Sequence, residues 1–140
     1  MSEFQHPPQI FGIGADLVEV TRIAESLEKF GERFERRVFT EIEIAYCKAM
    51  PHPELHFAAR FAAKEAFLKA LGTGKARGIS WREAGVENLP SGQPRLVITG
   101  RALEICRERK VGTMHLTLSH TRGNAMAVVV IENGRPTEVK

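Results

Sequence analysis

Arg60-Phe61-Ala62-Ala63-Lys64-Glu65-Ala66-Phe67-Leu68-Lys69-Ala70-Leu71, closed by Gly72-Thr73-Gly74, is the stretch that decides the fold. It is rich in strong helix formers, lacks Pro and β-branched residues, and has Gly72 where a C-cap is wanted, so it predicts a helix ending there. At about 100° per residue, Ala62, Ala66, Ala70 and Ala63 make one arc of small side chains suited to close packing. Phe61 with Leu68, and Phe67 with Leu71, form two further apolar arcs, and the charges fall between the arcs. A surface helix gathers its charges on one solvated face. Apolar groups nearly all round predict instead a central helix whose charges are held close to apolar surface.

Burying a charge is costly unless it is paired or ligated. Glu65 and Lys69, spaced i,i+4 with the acid first, are expected to pair along the helix. Arg60 and Lys64 share that spacing but carry like charge. Either an anion lies between them or their long stems carry the charges out to water.

Outward from this helix, the chain reads as an alternation of elements. Residues 1–9 look like a flexible arm. From Ile10 a period of two sets Phe11, Ile13, Ala15 and Leu17 on one face, and Gly12, Gly14, Asp16 and Val18 on the other. Two glycines leave that second face bare just before a carboxylate, which signals close approach by a ligand or by a packed helix. The spacing lacks the third glycine of a dinucleotide-binding turn. Thr21 is expected to cap a helix from Arg22 to about Phe30, stopped by Gly31. Arg33, Arg36 and Arg37 follow on a short amphipathic piece with Phe34 and Phe39. Thr40-Glu41-Ile42-Glu43 is a capping box that opens a helix to about Met50, ended by Pro51-His52-Pro53. The central helix then begins near Glu54. Beyond the basic loop at 75–78, a strand within Trp81 to Leu89 pairs with Arg95 to Thr99 through the turn Pro90-Ser91-Gly92-Gln93. A helix over Gly100 to Lys110, a strand from about Met114 to His120, a turn at Thr121 to Asn124 and an apolar strand Ala125 to Ile131 complete an α+β pattern.

The 140 residues suit one domain, residues 10–140, with a real core. A content of 43% apolar and 26% charged residues, with net charge +3, describes an ordinary soluble chain with a mild bias towards anionic partners. No apolar run reaches 18 residues and the N-terminus lacks a signal-peptide core, so no membrane role is expected. Cys47 and Cys106 fit neither a disulfide framework nor a metal-ligand spacing, and are expected as free thiols in a reducing cytoplasm.

Asp16 ending a bare strand and Glu65 on an apolar helix are two carboxylates able to hold a hard cation such as Mg²⁺ together with substrate phosphates. Arg60, Lys64, His120 and the Gly72-Thr73-Gly74 loop offer the positive charge and backbone donors that a phosphate ligand needs. Ser119 and His120 are strand neighbours facing opposite ways, so they do not make a catalytic pair.

Taken together, Gly12-Ile13-Gly14-Ala15-Asp16, Arg22 six residues on, Arg60-Phe61-Ala62-Ala63-Lys64-Glu65-Ala66-Phe67-x-Lys69-Ala70 and Ser119-His120 resemble the holo-acyl-carrier-protein synthases. These are the short class of the 4′-phosphopantetheinyl transferase superfamily, and the likeness runs from Ile10 to about Ile131. It implies an antiparallel sheet packed around the long central helix. It also implies Mg²⁺-dependent transfer of 4′-phosphopantetheine from coenzyme A to a serine of apo acyl carrier protein, releasing 3′,5′-ADP, in fatty acid biosynthesis. By this resemblance Asp16 and Glu65 hold Mg²⁺ (Mn²⁺ being the alternative ion), and Lys69 joins them as the catalytic set near the reacting phosphate. Arg60, Lys64 and His120 lie near the coenzyme A phosphates, with Phe61, Gly72, Thr73, Gly74, Ser119 and Thr121 completing that site. Arg22, Arg33, Arg36 and Arg37 receive the carrier's acidic helix. Val18 stands where longer relatives have a second acid, so a water is expected there. The short class forms homotrimers with active sites between subunits. A small basic α+β module without catalysis is the rival reading, but the chain lacks the exposed aromatics and dense basic stripe of nucleic-acid binders. A regulatory coenzyme A binder is a second rival, and it leaves both acids without a task.

Overall fold

In the computed structural model, which describes residues 9–74 and 78–134, the bare face of the first strand is covered by the central helix. A Cβ at Gly12 would collide with the Ala70 carbonyl, and one at Gly14 with the Ala66 carbonyl. The two glycines and the alanine arc are therefore two halves of one contact. The strand is β1 (Ile10–Glu19) and the helix is α4 (Pro53–Leu71). Of the two meanings a bare strand face carries, helix packing is the one found.

Between them lie α1 (Val20–Phe30), α2 (Glu32–Val38) and α3 (Glu41–Lys48). After α4 come a 3-10 turn (Trp81–Glu83), β2 (Ala84–Asn88), β3 (Pro94–Ile98), α5 (Gly100–Glu108), β4 (Val111–His120) and β5 (Asn124–Asn133). β5 is the middle strand of a three-stranded sheet, antiparallel to β1 on one side and β4 on the other. β2 and β3 form a separate antiparallel hairpin. Helix α4 packs chiefly on β1 and β5 and is buried on most of its surface, as its sequence predicts. The core joins Phe57, Phe67 and Leu71 of α4 to Val129 and Ile131 of β5, Phe39 after α2, and Ile105 of α5.

The helix ends follow the sequence with one exception. Thr40 and Glu43 form the expected capping box. Gly31 ends α1, and Gly72 takes the left-handed conformation (φ 87°) that L side chains avoid. Thr21 is not the cap of α1. The helix starts at Val20, directly from β1, and the Val20 N–H donates to the Gly123 carbonyl at 3.0 Å instead of to a side chain. The arm expected over residues 1–9 lies outside the described residues except for Gln9, whose carbonyl accepts from Asn133. Most of the basic loop, residues 75–77, is likewise outside them.

Candidate active site

Alternation along β1 that turns Gly12 and Gly14 onto α4 turns Asp16 the same way. Asp16 meets α4 where Glu65 and Lys69 leave it. These three, with Phe61, Arg22, Ile23 and Ser26 among their neighbours, line a cavity of about 410 Å³. Lys69 donates to the Asp16 carboxylate Oδ1 and to the Ala15 carbonyl, both at 3.0 Å. The expected Glu65–Lys69 pair is thus replaced by a Lys69–Asp16 pair, because β1 brings a carboxylate to the ammonium from across the contact. Glu65 is held above the ordinary carboxylate range, first by partial burial and then by the Asp16 charge, with Lys69 opposing.

Two adjacent carboxylates with a lysine already on one of them make a cation-seeking site. Among the described residues no group of three or more His, Cys, Asp or Glu is arranged to hold a metal. Asp16 and Glu65 are the two carboxylates here that could hold a hard cation, whose remaining ligands would come from water or phosphate. Val18 lines the same cavity and offers no oxygen.

Lys64 departs from expectation. It is fully buried, and its ammonium donates to Glu43 Oε1 (2.8 Å), the Trp81 carbonyl (3.2 Å) and the Ala84 carbonyl (3.0 Å). Glu43 also accepts from the Thr40 and Val86 N–H groups. Burial pulls the Lys64 ammonium below the ordinary lysine value and Glu43 opposes that pull. With three donors spent inside the core, Lys64 has none for a phosphate. Its ammonium stays inside the core and locks α4 to α3 and β2.

The Gly72-Thr73-Gly74 loop is a second correction. The N–H groups of all three residues converge on the Leu68 carbonyl, at 3.0, 3.3 and 3.4 Å, so they terminate the helix and are not free donors. Thr73 donates its hydroxyl to the Gly74 carbonyl.

Arg60 is 2% exposed, and at about 100° per residue it stands about 180° round α4 from Lys69, the residue that holds Asp16. Its guanidinium sits 4.1 Å from the Tyr46 ring centroid and donates to Asn88 Oδ1 at 2.7 Å, while its Nε is buried with no hydrogen-bond partner. His120 reaches the same place from β4 and stacks edge-to-face on His56 at 5.6 Å. Ser119 is opposite Met126 and so on the outer face of the sheet, while His120 is opposite buried Ala125, as the alternation requires. Thr121 accepts from the Asn124 N–H and closes the turn. Phe61 packs against Trp81 at 5.2 Å and also borders the acidic cavity. The candidate residues thus fall into two groups, Asp16–Glu65–Lys69 by β1 and Arg60–His120 by β4. The sheet separates their strands by two spacings, about 10 Å.

Beside the acidic cavity, Arg33 and Arg37 flank Phe30, Phe34 and Ser26 in a depression of about 330 Å³. Arg36 instead pairs with Glu32 at 3.7 Å and borders a different cavity. Glu43, Tyr46, His56 and Asn88 were not singled out by the sequence. Glu43 carried a signal as the N3 residue of the capping box, and His56 as the residue one turn before Arg60.

The family model of the 4′-phosphopantetheinyl transferase superfamily matches residues 12–129. A holo-[acyl-carrier-protein] synthase of Syntrophus aciditrophicus is 46% identical over 123 residues, 88% of this chain and 96% of that one. The crystal structure of the holo-[acyl-carrier-protein] synthase from Neisseria meningitidis superposes with a TM-score of 0.81 at 36% identity, covering 89% of this chain and 99% of that one. The synthase from Bacillus anthracis, in complex with CoA (3′,5′-ADP), gives a TM-score of 0.74 at 34% identity over 90% and 99% of the two chains.

Proposed function

The chain belongs to the 4′-phosphopantetheinyl transferase superfamily, and we propose that it moves the 4′-phosphopantetheine group of coenzyme A onto a serine of apo acyl carrier protein, with Asp16, Glu65 and Lys69 at the reacting phosphate. The observation that carries this reading is the cavity in which those three residues and Arg22 gather. Asp16 and Glu65 hold Mg²⁺ there, with Mn²⁺ as the alternative ion. The bound ion supplies charge neutralisation of the pyrophosphate and polarisation of the phosphorus under attack. The serine proton goes either to Glu65, which lines the same cavity, or to water beside it. Lys69, exposed on its other side and already bridging β1 and α4, is placed to steady charge developing on the transferred group.

Arg60 and His120 bind the phosphates at the far end of coenzyme A. On the family likeness, the complete site is shared between neighbouring subunits. The outer face of the sheet supports a homotrimer. Ile13 and Leu17 are 64% and 68% exposed, and they lie in register with Val130 and Met126. Arg22, Arg33 and Arg37, with exposed Phe30 between them, receive the acidic helix of the carrier. Residues 10–140 act as one catalytic domain. Two buried free thiols accord with work in the cytoplasm, and no helix among the described residues is long and apolar enough to cross a membrane.

The test is coenzyme A affinity with and without Mg²⁺. Mg²⁺ is expected to strengthen binding to the unaltered chain and not to Asp16→Asn. Equal response of both proteins would remove the metal assignment.

A further inference from the structure

We propose that His56 is a further anion-binding residue beside Arg60 and His120, and that it takes up a proton when a phosphate monoester is bound there. The inference rests on the reading of coenzyme A as the donor and adds to it a residue and a proton.

His56 lies one turn ahead of Arg60 on α4 and accepts from the Arg60 guanidinium through its carbonyl at 3.5 Å. Its ring stands edge-on between Tyr46 of α3, at 5.9 Å, and His120 of β4, at 5.6 Å. Every element packed against it has a part. Arg60 and Glu54 come from its own helix, His120 from β4 and the Tyr46 phenol from α3, while Asn88 of β2 holds Arg60 in place. Glu54 is the carboxylate that acts on His56, and it already lies 3.8 Å from His52 Nδ1. The cluster therefore carries an excess of cationic and cationisable groups. Its one buried unpartnered donor, Arg60 Nε, belongs to the same cluster.

In the free protein this arrangement works against a charged His56. Burial, then Arg60, then His120 hold its imidazole below the ordinary value, with Glu54 opposing. The free protein thus favours the neutral imidazole. A dianion placed among Arg60, His56 and His120 reverses the balance, because it attracts the imidazolium that the empty cluster repels. The sign follows from linkage. Binding raises the His56 pKa, so binding takes up protons, and affinity rises as pH falls through the bound-state titration towards the free-state one. The second ionisation of the phosphate itself, near about 6, sets the lower end of that window.

The experiment is titration calorimetry of the full chain with 3′,5′-ADP at one pH in two buffers of different ionisation enthalpy, which gives the protons taken up. It is repeated with His56→Phe, which keeps a ring between Tyr46 and His120, and with His56→Gln as a second variant. The imidazole resonances of the unaltered chain, followed by NMR against pH with and without 3′,5′-ADP, give a readout that needs no variant. The expected result is proton uptake by the unaltered chain that falls in both variants by a fraction approaching about one proton. The affinities should diverge at low pH and converge at high pH, and the His56 resonance should titrate higher in the complex. Binding of 3′,5′-ADP with the same proton count in all three proteins, or an unmoved His56 titration, overturns the inference and leaves the coenzyme A reading standing. No binding of 3′,5′-ADP or coenzyme A by the unaltered chain overturns that reading and the inference with it.

Discussion

Replacing Lys64 with methionine removes the ammonium from a fully buried pair and leaves the Glu43 carboxylate in the core with only the Thr40 and Val86 N–H groups beside it. Stranding one partner of a buried ion pair costs about 3–5 kcal/mol, a large share of the roughly 5–15 kcal/mol that holds a domain together. At about 3 °C per kcal/mol for a chain of this size, Lys64→Met lowers the thermal midpoint by about 10–15 °C. Adding Glu43→Gln removes the stranded charge, while its amide nitrogen replaces one of the two oxygens that accept from the Thr40 and Val86 N–H groups. The double variant is therefore expected to regain part of the loss and to stay below the unaltered chain. The assay is urea unfolding of both variants, with coenzyme A affinity measured on the folded fraction. That affinity is expected to change by less than about tenfold, or 1.4 kcal/mol. A Lys64→Met protein with unaltered stability and collapsed coenzyme A binding would falsify the buried-pair account and return Lys64 to the phosphates.

Gly14→Ala drives a methyl group into the Ala66 carbonyl of α4; it should cost about 1–3 kcal/mol in chemical unfolding, and an unchanged midpoint would mean that β1 and α4 are not in close contact. The Cys47 thiol, fully buried and pushed up to about 12, should ignore a thiol-specific reagent at pH 8 until the chain unfolds; rapid labelling of the folded chain at Cys47 would contradict its placement. Arg22→Glu should weaken carrier binding, more so at low salt, with coenzyme A affinity nearly unchanged; a collapse of coenzyme A binding instead would mean that the carrier and nucleotide surfaces are wrongly divided.

The sequence was most legible where one contact left two marks. Gly12 and Gly14 on one face, and Ala66 and Ala70 on one arc, each point to close packing, and the structure joins them. The capping box and the αL glycine at 72 were legible because local hydrogen bonds fix them. What stayed hidden was the choice of partner across the fold. Lys69 has Glu65 one turn away in sequence, yet takes Asp16 because packing delivers that carboxylate from β1. Lys64 reads as a phosphate ligand from its i,i+4 spacing to Arg60, yet its counter-charge lies 21 residues upstream in a residue already explained as a cap. The Gly72-Thr73-Gly74 backbone looks like an anion nest in sequence, and only the direction of its N–H groups shows that they close the helix. The residues themselves pointed to the carboxylate pair and the family resemblance supplied the reaction, whereas the separation of the two candidate halves across the sheet needed the topology.

The most direct test of the central claim is the mass of apo acyl carrier protein after incubation with this chain, coenzyme A and Mg²⁺, beside an EDTA control and an Asp16→Ala control. The account predicts a carrier heavier by one phosphopantetheine group on its serine, with no gain in either control. An unmodified carrier in the complete mixture, or equal modification by Asp16→Ala, would contradict it.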